Sequence, residues 1–154
     1  MFREMRRKDK QLTDNENIAI LERGEIGYLS TICTNGYPYA VPLSYVYYNN
    51  SIYIHCAKEG QKINNMKECN KVSFCVTCDI ENLPDEFNTN FKSVIMFGNA
   101  EEVFEQEKDD ALLEIIKKYS KDFVEQGKEY IEKAKGATSV FKIHIEHITG
   151  KAHK

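Results

Sequence analysis

Asn35-Gly36 stands between two largely apolar runs, Ile26 to Cys33 and Tyr37 to Tyr48. In that setting the dipeptide is the strongest short-range hairpin signal, because a type I′ turn needs positive φ at both central residues. A second turn, Asn49-Asn50, leads into Ile52 to Ala57. Three antiparallel strands joined by tight turns, a β-meander, are therefore expected, and every other element must fit around an antiparallel sheet. Pro38 and Pro42 fall in the second strand. Proline cannot donate to a ladder, so this strand reads as an edge, a bulge, or backbone turned toward a ligand.

The rest of the chain supplies helices and three more strands. Thr13-Asp14-Asn15-Glu16 is a capping box, with Ile18 and Leu21 following at helical spacing and Gly24 as the stop. Gln61 to Glu68 reads as a short helix with Ile63 and Met66 on one side. Val72 to Thr77 is a fourth strand, Asp79 to Asn90 a polar loop, and Phe91 to Phe104 a long fifth strand. Gly98 within that strand marks a bulge or a close approach. Two helices follow, one placing Leu112, Leu113 and Ile116 on a shared face, the other Phe123, Tyr130, Ile131 and Ala134. Val140 to Ile148 closes the chain as a sixth strand, in which Phe141, Ile143 and Ile145 alternate with Lys142, His144 and Glu146. Six strands with three or four helices suit a closed or partly closed antiparallel barrel, mainly β. At 154 residues, 1–154 form one domain.

A formal charge of −3 argues against a nucleic-acid binder. Arg3, Arg6, Arg7, Lys8 and Lys10 crowd into a basic N-terminal arm, residues 1–12. No apolar run reaches the ~18 residues of a membrane span, and no secretory signal is visible. Five cysteines, an odd number, read as reduced thiols in a cytoplasmic protein.

Chemistry concentrates in His55-Cys56-Ala57-Lys58-Glu59-Gly60-Gln61-Lys62, a strand-to-helix junction. A helix N-terminus offers free amides and a positive dipole end to an anion. Gly60 lets backbone approach closely, and Lys62 adds a full charge where the dipole alone would disfavour it. A Lys62 that simply points to solvent fits the spacing equally well. The spacing of a Walker A loop is absent. In Tyr37 to Ser44, the prolines leave backbone groups that the edge of a flat heterocycle can use; a proline-protected edge strand is the plainer reading. Cys75-Val76-Thr77-Cys78 and His144-Ile145-Glu146-His147 have metal-like spacing. On strands, residues three apart point to opposite faces, so neither pair is expected to chelate.

Taken together, these segments resemble the pyridoxamine 5′-phosphate oxidase-like flavoproteins, in the branch that includes nitroimidazole-resistance proteins. Met5-Arg6-Arg7-Lys8-Asp9 is similar to that branch's basic opening, and Gly36-Tyr37-Pro38-Tyr39 with Val41-Pro42-Leu43 to its second strand. His55 to Lys62 resembles its phosphate segment, Lys92 to Ala100 its long strand, and Ile148-Thr149-Gly150-Lys151 its C-terminal signature.

The resemblance implies a split β-barrel, Greek-key-like, that forms a homodimer with FMN held between the subunits; an open groove admits FAD as well. Carried over by position, Val41, Pro42, Leu43 and Ser44 would line the isoalloxazine edge through backbone groups. His55, Ala57 and Lys62 would flank the phosphate, and Lys92 and Ser93 would contact phosphate or ring. His55 is the candidate catalytic residue. The vitamin-processing oxidases carry arginine and glutamine where Lys92 and Ser93 stand, and lysine lacks arginine's bidentate fork. Their arginine- and histidine-containing C-terminal segment is also missing, so pyridoxine-phosphate oxidation is not expected. What the resemblance implies instead is a flavin-dependent reductase of a small electron acceptor such as a nitroaromatic. The alternatives are a flavin carrier or sensor without turnover, or a split barrel that holds haem or F420.

Overall fold

The computed structural model describes residues 1–153. Four α-helices and seven strands follow the chain: α1 Asp14–Arg23, β1 Gly27–Ile32, β2 Pro38–Leu43, β3 Val46–Tyr48, β4 Ser51–Ala57, α2 Gln61–Glu68, β5 Lys71–Leu83, β6 Asn88–Val103, α3 Glu105–Tyr119, α4 Val124–Ala134 and β7 Thr138–His153. The strands form one sheet in the order β2-β1-β5-β6-β7-β4-β3, with every pairing antiparallel. Its two edge strands, β2 and β3, are joined by Ser44 and Tyr45 alone, so the sheet rolls toward itself. This is the split barrel.

Local signals account for several elements directly. Thr13 caps α1: its hydroxyl accepts from the Glu16 amide at 3.3 Å, and the Glu16 carboxylate takes the Thr13 amide at 2.8 Å. The hairpin between β1 and β2 exists, but its turn is not type I′. The Gly36 amide donates to the Cys33 carbonyl at 2.9 Å and only Gly36 has positive φ, at 87°. Such a turn, closed by a left-handed glycine, is the commonest three-residue hairpin loop. The paired positive φ values appear instead at Asn49 and Asn50.

Other expectations are corrected by the strand order and by burial. The first three strands do not form a meander: Tyr37 to Tyr48 splits into β2 and β3, which end up on opposite edges of the sheet. The polar stretch from Asp79 to Asn90 is a long hairpin rather than a loop, because β5 runs on to Leu83 and β6 starts at Asn88. Its ladder shifts register between Cys78 and Glu81. Phe123 and Tyr130 do not share a buried face with Ile131; they are 61% and 68% exposed.

Leu29, Ile52, Ile54, Phe74, Val76, Val94, Met96 and Ile143 fill the barrel, and Ile20, Leu21, Ile63 and Met66 close it from α1 and α2. Burial of each such side chain contributes ~1.5–3 kcal/mol. A second cluster lies outside, where Tyr53, Val103 and Val140 meet Ala111, Leu112, Ile115 and Ile131 of α3 and α4.

Gly98 marks a bulge, as its position suggested. Phe97 pairs with His147 and Gly98 with Ile145, which leaves Glu146 as the extra residue. A Cβ on Gly98 would stand 2.0 Å from the His144 carbonyl oxygen. The extra residue also corrects the histidine pair. His144 pairs with Asn99 and His147 with Phe97, two residues apart on β6, so both rings share one face. They do not converge: His144 meets Glu101 at 3.1 Å, while His147 stacks under Phe2.

Candidate functional site

The junction from β4 to α2 leaves the first amides of the helix open to solvent. Gly60, the N-cap of α2, has φ 149° and no side-chain cap follows it. The first helical bond runs from the Asn64 amide to the Gly60 carbonyl, which leaves the amides of Gln61, Lys62 and Ile63 without helical partners. A Cβ at Gly60 would meet nothing within 4 Å, so the approach is open. Beside it, Gly60 and Gln61 share a depression of about 640 Å³ with Cys33 and Asn35 of the hairpin turn. Lys62 stands in the first turn and has no ion-pair partner among the described residues.

Across the hairpin, Val41, Pro42 and Leu43 lie on β2, whose outer edge no strand covers. Half of its backbone groups therefore face away from β1. Pro42 pairs with Tyr28 and Leu43 with Gly27; Pro42 is exposed, while Val41 and Leu43 pack against the core. Ser44 forms the corner after β2 with Tyr45, whose amide and carbonyl are held by α3 rather than by a strand.

His55 and Ala57 lie on the face of β4 that carries Tyr53 toward α3 and α4. His55 is exposed on its outer side, yet its residue lines a cavity of about 110 Å³ with Leu112, Ile115 and Ile131. Desolvation there, and after it the charge of Lys62, holds its imidazole below the ordinary histidine value. Both causes favour the neutral imidazole, and Lys62 is close enough to act on it.

Lys92 and Ser93 lie elsewhere. On β7, His55 pairs with Val140 and Lys92 with Ala152, twelve residues further along. At ~3.3 Å per residue that is about 40 Å of strand. Lys92 instead meets Asp79 at 3.1 Å, beside Arg23, at the β5 irregularity. Within one chain Lys62 is near enough for its charge to act on His55, Ala57 follows on the same strand, and Lys92 and Ser93 lie apart from them.

Residues beyond the expected set stand out on the outer face of the sheet. The register places Tyr28, Cys75, Ile95 and Thr149 in one row, and Ser30, Ser73, Phe97 and His147 in the next. Tyr28, Ile32, Ile95 and Phe97 are 40–45% exposed. Phe2 stacks on Phe97 and His147, and a groove of about 500 Å³ runs from there past Ile32 and Pro38. The sequence held a signal for this face. Val94-Ile95-Met96-Phe97 is unbroken apolar sequence, as in strands covered on both sides.

No helix among the described residues is long and apolar enough to cross a membrane. None of the curated proteins matches the chain in sequence. Solved structures share its fold at low identity. The conserved protein Rv2991 of Mycobacterium tuberculosis superposes with a TM-score of 0.84 at 19% identity, covering 98% of this chain and 91% of that one. A protein provisionally assigned to 5-nitroimidazole antibiotic resistance in Bacteroides thetaiotaomicron gives 0.76 at 21%, covering 92% and 86%. An FAD-binding protein of Mesorhizobium loti gives 0.66 at 23%, covering 94% and 98%. The family model described as pyridoxamine 5′-phosphate oxidase matches residues 13–152, nearly the whole chain. On that match, the chain belongs to the pyridoxamine 5′-phosphate oxidase family.

Proposed function

We propose that the protein is a flavin-dependent reductase of small acceptors, with FMN held between two copies of the chain. The observation that carries this reading is the uncapped α2 N-terminus, with its open Gly60 and its unpaired Lys62, in a chain of this family. Three free amides, a dipole end and one ammonium suit a phosphomonoester. The uncovered edge of β2 suits the polar rim of a flat heterocycle. Solved structures with this fold include an FAD-binding protein, a flavocytochrome and haem-binding proteins, so the barrel accommodates flat cofactors.

When bound, the flavin supplies the redox chemistry, taking up a hydride and passing electrons on. The chain's own residues do the rest. Lys62 and the amides of Gln61 to Ile63 hold the phosphate, with His55 and Ala57 beside them. The β2 backbone from Val41 to Ser44 orients the ring. His55, whose neutral form desolvation favours, offers a ring nitrogen to a proton. Lys92 and Ser93 lie too far along the sheet to serve the same flavin from one chain, and act on the flavin of a second copy. The five free thiols suit the reducing cytoplasm.

The exposed row of Tyr28 and Ile95 is the surface on which the second copy sits. A charge at its centre must break that contact. Ile95→Glu is expected to run as a monomer in light scattering, with flavin affinity reduced at least tenfold. A dimer that binds flavin normally would move the interface elsewhere.

Reductase and carrier part on turnover. The flavin-loaded protein is expected to oxidise NADH or NADPH continuously when a nitroaromatic acceptor is present. A single reduction of bound flavin with no further consumption would leave the chain a flavin carrier.

A further inference from the structure

Between β2 and β3 the chain crosses from one edge of the sheet to the other at Ser44 and Tyr45. A corner outside the ladder leaves its amide and carbonyl in need of other partners. Here both are met by the last turn of α3. The Tyr119 hydroxyl accepts from the Tyr45 amide at 3.0 Å and donates to the Glu25 carbonyl at 2.6 Å. Lys118 donates to the Tyr45 carbonyl at 3.1 Å and lies 3.7 Å from the centre of the Tyr45 ring. The Ser44 side chain lies beside the Tyr119 hydroxyl. On the inner side, the Tyr45 ring is fully buried, stacks edge-on against Phe74, and donates from its hydroxyl to the Leu21 carbonyl at 2.6 Å.

The corner is therefore clamped from both sides, and Val41 to Ser44, the segment read above as the ring-binding edge, ends in the clamp. An edge strand is free on one side and gains little stiffness from the sheet. Its geometry at the C-terminal end must come from the corner. Tyr119 ties the backbone of Glu25 to that of Tyr45 through one oxygen.

We propose that Tyr119 is a positioning residue for the flavin ring: its hydroxyl fixes the β2 backbone that meets the isoalloxazine edge, without touching the flavin itself. This rests on the flavin reading above.

Because Tyr119 acts at the ring end and Lys62 at the phosphate end, their losses differ in kind. Tyr119→Phe is expected to weaken FMN and riboflavin by the same factor, roughly fivefold, the scale of one net hydrogen bond. It also shifts the visible absorption bands and the midpoint potential of the bound flavin. Tyr130→Phe, on the exposed face of α4, serves as the control and behaves as wild type. Should Tyr119→Phe fold poorly, Lys118→Met carries the same test, since it loosens the same corner by removing the donor to the Tyr45 carbonyl and the ammonium over the Tyr45 ring.

A variant with a lowered melting temperature but wild-type affinity, spectrum and potential would make Tyr119 a plain buttress and overturn the proposal. A loss confined to FMN, with riboflavin unaffected, would overturn it too, by placing the effect at the phosphate. A wild-type chain that binds neither flavin would overturn the flavin reading itself, and this proposal with it.

Discussion

Replacing Gly98 with alanine is expected to cost about 2–3 kcal/mol, the upper part of the range for forcing atoms into a packed site. The added Cβ would stand 2.0 Å from the His144 carbonyl oxygen and 3.1 Å from the Ile143 Cγ2. The first of these is backbone and cannot rotate aside. Relief requires β6 and β7 to part at the bulge where Glu146 is squeezed out of register. For a domain of this size the loss lowers the melting temperature by roughly 5–10 °C. Gly136→Ala is the matched control, because a Cβ there meets nothing within 4 Å and its φ is not positive. Thermal unfolding of the two variants side by side checks the claim. Equal melting temperatures would mean the strands part at the bulge without cost.

The second large effect falls on binding rather than stability. Lys62→Ala is expected to weaken FMN by about 1–3 kcal/mol, the scale of a charge-assisted hydrogen bond. That is roughly 5- to 150-fold in the dissociation constant. Riboflavin, which lacks the phosphate, is expected to bind the variant as it binds wild type. The contrast matters because a folding defect would weaken both ligands together. Lys67→Ala, in the last turn of the same helix, serves as the control and leaves both constants unchanged. Unchanged FMN affinity in Lys62→Ala would remove Lys62 from the phosphate site.

What could be read from the sequence follows the range of the forces involved. The Thr13–Glu16 capping box, the start of α2 at Gln61 and the bulge at Gly98 each depend on a few neighbouring residues, and each is found where the sequence placed it. Strand partnership is a different matter. β1 pairs with β2 through a local turn but also with β5, over forty residues away. Nothing in Gly27 to Ile32 names that second partner. The split of Tyr37 to Tyr48 into two edge strands likewise depends on Tyr119 and Lys118, distant residues that hold the corner between them.

The candidate site divides along the same line. Gly60 and Lys62 announce themselves within one junction, so chemistry alone singles them out. Lys92 and Ser93 came only from resemblance, and the sheet sets them about 40 Å of strand from His55, by ~3.3 Å per residue. His144 and His147 show how one inserted residue defeats a parity rule. Counting along the strand puts them on opposite faces, whereas the bulge at Glu146 returns them to one. Phe123 and Tyr130 mark another limit, since helical spacing groups them with Ile131 while Phe123, just before α4, and Tyr130, within it, both face solvent.

The most direct test of the account is an absorption spectrum of the freshly purified protein, followed by mass spectrometry of what heat releases. A flavin spectrum is expected, with FMN in the supernatant and a colourless chain left behind that takes FMN up again. A Soret band, or a colourless protein that fails to bind added FMN, would contradict it.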